Sequence, residues 1–180
     1  MTANFYKSSR QRLFEKLNEG SMVFLYSGIA PIKSNDDNMY PFPVNRNFYY
    51  LTGIDEPNVW LTLAKTDSGA LEKLFIGQPD EERIKWNGKM LTREEAMEKS
   101  GLSADNILYS QDMDRTVAGQ LSASRRLAGI TAAYFSLDRL SMNAAPTPAE
   151  QYAAMLREKF PALEIKNALP LLASLRAIKQ

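Results

Sequence analysis

At 180 residues, 44% hydrophobic and 24% charged, the chain has the size and composition of one globular domain that hides about 70% of its unfolded surface, which excludes a disordered segment. Its 22 Lys and Arg against 21 Asp and Glu leave a net charge of +1, which steers it toward neither nucleic acid nor anionic lipid and puts little repulsion in the way of self-association. With no Cys and no His, disulfides, thiolate nucleophiles, serine triads and histidine-ligated metals are excluded, and only carboxylate, Lys, Tyr or Ser–Lys chemistry stays open.

The N-terminus, Met1 to Lys7, has no apolar stretch behind a basic start, so no secretory signal is expected. No run reaches the roughly 18–20 apolar residues that a membrane span needs. A cytoplasmic location is the default expectation, with no nucleic-acid or membrane partner. The first element is a helix, from the stripe Phe5, Leu13, Phe14 and Leu17 among charged residues, stopped by Gly20. Met22 to Tyr26 is a short apolar run that predicts a buried strand. Ser27 to Asn45 is rich in Pro, Asn and Asp and predicts a long loop, a kind that is often functional.

Phe48-Tyr49-Tyr50-Leu51 predicts an aromatic strand ended by Gly53. Val59 to Ala64 and Leu71 to Ile76 predict a hairpin around the turn Asp67-Ser68-Gly69. Thr92 with Glu95 forms a capping-box signature for a helix running to about Ser100, before Gly101. Then come a short strand at Ile107–Tyr109, a helix from Met113 to about Ala128 and a strand from Thr131 to Phe135. Thr147-Pro148-Ala149-Glu150 opens a helix to about Lys159. Leu163-Glu164-Ile165 is a last strand, and Pro170 opens a final helical piece. A hairpin followed by alternating strands and helices points to an α/β fold with a mixed β-sheet flanked by helices.

No glycine-rich phosphate loop occurs. Three acidic groups, Asp36-Asp37, Asp80-Glu81-Glu82 and Asp112 with Asp114, offer carboxylates of the kind that bind Mg²⁺ or Mn²⁺. Solvated loop acids and helix caps are the commoner reason for such groups. Arg125-Arg126 is the only double Arg, and no basic field supports a phosphate contact there.

The stretch Asp37-Asn38-Met39-Tyr40-Pro41-Phe42-Pro43-Val44-Asn45-Arg46-Asn47-Phe48-Tyr49-Tyr50-Leu51-Thr52-Gly53-Ile54-Asp55-Glu56-Pro57 closely resembles the signature of the N-terminal domain of the aminopeptidase P, prolidase and creatinase family. Trp86-Asn87-Gly88 is similar to that family's Trp-x-Gly, and Arg176-Ala177-Ile178-Lys179 to the Arg-x-Ile-Lys that leads into its catalytic domain. The three matches come in family order. One departure is Pro43, where the family often carries Arg; Pro cannot pair with a carboxylate.

The resemblance implies a ribonuclease-H-like α/β domain over residues 1–175, with 176–180 starting the connection to an absent pita-bread catalytic domain. It implies a parent enzyme that removes the residue preceding proline from a peptide, using two divalent metal ions, usually Mn²⁺, held outside this chain. This chain by itself is then expected to be inactive, with no catalytic and no metal-binding residue. Its implied partners are its own catalytic domain, a second copy in a homo-oligomer, and proline-containing peptide substrates of the full enzyme. Asp37 and Trp86 match positions near the family's active-site entrance, where one could attract a peptide ammonium and the other pack on an apolar side chain. The residues themselves leave Trp86 equally open to partial burial and Asp37 to an Asx-turn. A prolidase, a free-standing interaction module, and, by fold analogy alone, a carboxylate nuclease stay open as alternatives.

Overall fold

The computed structural model describes residues 2–31, 41–123, 129–137, 139 and 141–177. It opens with helix α1 (Ala3–Lys16), which buries Tyr6, Ser9, Arg10 and Leu13 on one side. Strand β1 (Ser21–Tyr26) follows, buried on both faces along nearly its whole length. Such a strand belongs in the middle of a sheet, and that is where it lies. The six-stranded sheet has the order β4-β3-β2-β1-β5-β6. Here β2 is Trp60–Thr66, β3 is Gly69–Ile76, β4 is Ile107–Tyr109, β5 is Ala132–Phe135 and β6 is Glu164–Asn167.

The sheet is mixed. β1 runs antiparallel to β2, and β2 to β3, in the hairpin that the sequence predicts. β1 with β5, β5 with β6, and β3 with β4 are parallel. Parallel pairs need crossovers, and helices supply them. They are α4 (Arg93–Ser100) between β3 and β4, α5 (Met113–Ala123) between β4 and β5, and α6 (Pro148–Lys159) between β5 and β6. The chain closes with α7 (Leu169–Arg176). The expected capping box of Thr92 with Glu95 forms on α4, and Thr147 at the expected start of α6 makes a second one with Glu150. α5 is described only to Ala123; residues 124–128, including the double Arg, lie outside the described residues.

The aromatic run 48–51 is not a strand. It lies in helix α2 (Arg46–Thr52). The Asn45 side chain caps it, accepting from the Asn47 N–H at 2.9 Å and the Phe48 N–H at 3.2 Å. Gly53 ends it in the left-handed conformation, φ 69°, its N–H donating to the Tyr49 carbonyl at 2.8 Å. Phe48, Leu51 and Thr52 are the buried residues, a helical i, i+3, i+4 set. Two caps and one helical face outweigh the β preference of the aromatic residues. A helix at 81–87, which the sequence reading did not assign, is described with the site below.

Two cores sit on opposite faces of the sheet. Val23, Leu25, Leu61 and Leu63 face one way, against Leu13, Phe48, Leu51, Ala96 and Leu172 of α1, α2, α4 and α7. Met22, Phe24 and Phe135 face the other way, against Val117, Ala153 and Leu156 of α5 and α6. The alternation along β1 and β2 follows from the period of two in a strand. The expected α/β fold with a mixed sheet between helices is therefore the observed one.

One buried cation ties the first face together. Arg10 is fully buried. Its Nε meets Glu72 Oε1 at 3.0 Å, and its Nη1 donates to the carbonyls of Leu51 at 2.8 Å and Ser100 at 2.9 Å. Leu51 and Ser100 are in the last turns of α2 and α4, where carbonyls lack helical partners and the backbone dipole favours a positive charge.

Candidate functional site

The strand register puts the family-like segments on one edge of the sheet. Tyr26 at the end of β1 pairs with Trp60 at the start of β2, which pairs with Phe75 near the end of β3. The ends of β4 and β5 lie along the same edge, through Ile76 with Tyr109 and Phe24 with Phe135. The loop after β1 and the segment after β3 both leave from here, one strand apart on either side of β2. Ordinary strand spacing sets them about 10 Å apart at their roots.

The loop after β1 is clamped at its base. Ser27 exchanges two bonds with Val59: its N–H donates to the Val59 carbonyl at 2.9 Å and its Oγ accepts from the Val59 N–H at 2.9 Å. The returning leg is held to the outgoing one, because the Asn45 N–H donates to the Ser27 carbonyl at 2.8 Å. The Phe42 ring lies against Gly28, whose φ is 119° and where a Cβ would stand 3.2 Å from the ring. Asp37 belongs to residues 32–40, outside the described residues.

The segment after β3 carries helix α3 (Glu81–Asn87), seven residues long. The Asp80 side chain caps its start, accepting from the Glu82 N–H at 3.0 Å. Arg83 and Asn87 aside, every residue from Gln78 to Lys89 is exposed. Among the described side chains, α3 therefore adds nothing to either core. Trp86 is 73% exposed, with the Lys85 ammonium 5.7 Å from its ring centre, and Ile84 is 41% exposed. The partly buried packing role open to this indole in the sequence is not the one it has.

Sequence reasoning missed the aromatic pile beneath this edge. Tyr26 and Trp60 rings are 4.6 Å apart, Trp60 and Tyr152 5.4 Å, and Phe24 stacks on Phe135 at 4.5 Å. Tyr152 donates from its hydroxyl to Asp114 Oδ1 at 2.9 Å. Burial, and then this carboxylate, push the Tyr152 phenol well above its ordinary pKa. The signal was present as Phe24 with Tyr26 at strand spacing, and as Tyr152 beside the buried Ala149, Ala153 and Leu156 of α6.

Asp36-Asp37 lies outside the described residues, and the acidic groups within them do not converge. Asp112 pairs with Arg115 at 2.8 Å, Asp114 takes the Tyr152 hydroxyl, and Asp80 caps α3. Among the described residues no group of three or more carboxylates could hold a metal ion. Among them, too, no helix is long and apolar enough to cross a membrane.

Comparison with known proteins agrees with this architecture. The family model "Aminopeptidase P, N-terminal domain" matches residues 6–128. An Xaa-Pro aminopeptidase of Haemophilus influenzae is 32% identical over 129 residues, 72% of this chain and 28% of that protein. A Bacillus anthracis structure assigned as aminopeptidase P superposes on the whole chain with a TM-score of 0.90 and 33% identity, over 41% of its own length. Zinc-substituted aminopeptidase P of Escherichia coli, in complex with product, shares the fold at a TM-score of 0.78 and 21% identity, again over the whole of this chain and 40% of its own. The chain thus spans well under half the length of the relatives it matches.

Proposed function

The chain belongs to the aminopeptidase P N-terminal domain family, and from that premise we propose that it is the non-catalytic N-terminal domain of a metal-dependent Xaa-Pro aminopeptidase. In this reading it helps form the substrate entrance and an oligomer contact of the enzyme. The observation that carries the proposal is Trp86. A large indole, 73% exposed on a helix that packs no core, has no role in the stability of this chain. Burying such a side chain against a partner or ligand removes roughly 150–250 Å² of surface from water. It stands at the same sheet edge as the loop that carries the family signature.

Asp37, on that loop, supplies a carboxylate for the α-ammonium of an incoming peptide, and Trp86 an apolar plate for its side chains or proline ring. The residues of this chain do not fit the metal pair. There is no His in the sequence and no carboxylate cluster among the described residues, so the two divalent ions, Mn²⁺ in this reading, belong to a catalytic domain, and peptide hydrolysis with them. When bound they supply a polarised carbonyl and an activated water.

The test compares the full-length gene product with this 180-residue chain on an Xaa-Pro-Yaa tripeptide with added Mn²⁺. The long form releases the first residue and the chain alone does not. In the long form Trp86→Ala raises KM. A long form inert on every Xaa-Pro peptide sinks the proposal.

A further inference from the structure

We propose that Asn58 is a positioning residue for the two described legs, 27–31 and 41–45, that leave β1 and return to α2, an inference that rests on reading those legs as part of the substrate entrance. Among the described residues Asn58 is the one non-glycine residue with positive φ, at 59°. That left-handed conformation costs most residues energy and suits Asn and Asp, whose short polar side chains bond locally. Asn58 is exposed, so core packing does not explain its presence there. Its contacts do.

In this conformation its backbone N–H donates to the Gly28 carbonyl at 2.9 Å, on the outgoing leg of the loop. Its Oδ1 accepts from the Tyr26 hydroxyl at 2.5 Å, at the last residue of β1. The residue after it, Val59, holds Ser27, and Ser27 holds Asn45 of the returning leg. Asn45 in turn caps α2. Both legs thus reach the sheet through a line of bonds that starts at one strained residue. Releasing one ordinary hydrogen bond in that line shifts the equilibrium between held and released legs about five-fold toward the released form, and the apparent affinity of anything that needs the held form falls by up to the same factor.

The substitutions separate the parts. Asn58→Gly keeps the backbone conformation and removes the acceptor for Tyr26. Tyr26→Phe removes the same bond from its other end. Asn58→Asp keeps both the acceptor and the tolerance for left-handed backbone. In the full-length gene product, Asn58→Gly and Tyr26→Phe each raise KM for an Xaa-Pro-Yaa tripeptide by up to about five-fold at unchanged kcat. The double variant is no worse than either single one, and Asn58→Asp behaves as wild type.

Amide hydrogen exchange on this chain gives a second readout without catalysis. Asn58→Gly speeds exchange at the Asn45 and Asn58 amides about five-fold and leaves Leu61 and Leu63 in β2 unchanged. An active enzyme with unchanged KM in both single variants overturns the inference and leaves the proposed function standing. A wild-type gene product inert on Xaa-Pro peptides removes the proposed function, and exchange then decides alone. A local speed-up supports the positioning role; no change, or a change spread evenly through β2, overturns it.

Discussion

Replacing Arg10 with Met tests whether the buried cation holds α2 and α4 to the sheet. Met fits the space and removes every donor. Glu72, with its side chain 23% exposed, turns to water at little cost. The carbonyls of Leu51 and Ser100 have no such escape, since both residues are fully buried. Each orphaned buried acceptor costs about 1–3 kcal/mol, and removing one partner of a buried ionic contact costs about 3–5 kcal/mol in all. A loss of about 4 kcal/mol lowers the melting midpoint of a chain this size by about 10 °C. Urea or thermal unfolding of Arg10→Met, alone and combined with Glu72→Met, measures it. The second substitution restores little, because the unmet acceptors are backbone. A loss below about 1 kcal/mol, or full rescue by Glu72→Met, refutes the reasoning, because Arg10 would then be a dispensable ion pair rather than a cap for two helices.

Gly53→Ala costs more than Gly88→Ala. Both positions have positive φ, an expense of about 1–2 kcal/mol for a residue with a Cβ. At Gly53 the new methyl also runs into the Tyr6 ring, whereas nothing lies within 4 Å of Gly88. Equal losses in unfolding experiments would show that the Tyr6 contact yields freely. Trp86→Ala changes stability by less than about 0.5 kcal/mol, as expected for an exposed residue outside the core; a larger loss by thermal unfolding would mean that α3 is part of the folded body after all.

Stability is flat between pH 6 and 8, because no His titrates, and falls in acid. The Lys99 ammonium holds Asp55 below its ordinary 3.8. Lys89 and the Thr92 N–H hold Glu95 below 4.5, and the Thr147 N–H and Arg139 do the same for Glu150. Each contribution is present above the ordinary value and is lost as pH falls through the lower folded one. Glu56, raised by burial, works in the opposite direction and softens the loss. A melting midpoint that rises between pH 5 and 3 would contradict this balance of signs.

The sequence made the outer scaffold legible where local chemistry decides structure. Thr92 with Glu95, and Thr147 with Pro148 and Glu150, announce their helices because a cap is a contact between near neighbours. The hairpin around Asp67-Ser68-Gly69 was readable for the same reason. The run 48–51 misled because its aromatic residues fit strands well, while the evidence for a helix lay in Asn45 and Gly53 outside the run. Arg10 was unreadable. A cation on a helix usually points to water, and the carbonyls it meets are 41 and 90 residues away in sequence. Within the candidate site, Trp86 was singled out by its motif. Its exposure was not, since exposure depends on what the rest of the fold leaves uncovered. Asn58 was overlooked because its role is carried by φ, which a residue name does not display.

Among the described side chains, none from Gln78 to Met90 belongs to either core. Selection on that stretch can therefore act on contact alone. Substitutions there change what the edge recognises while the fold's tolerance for error is spent elsewhere, so a constant Trp86-Asn87-Gly88 motif is held by recognition and not by the sheet beneath it.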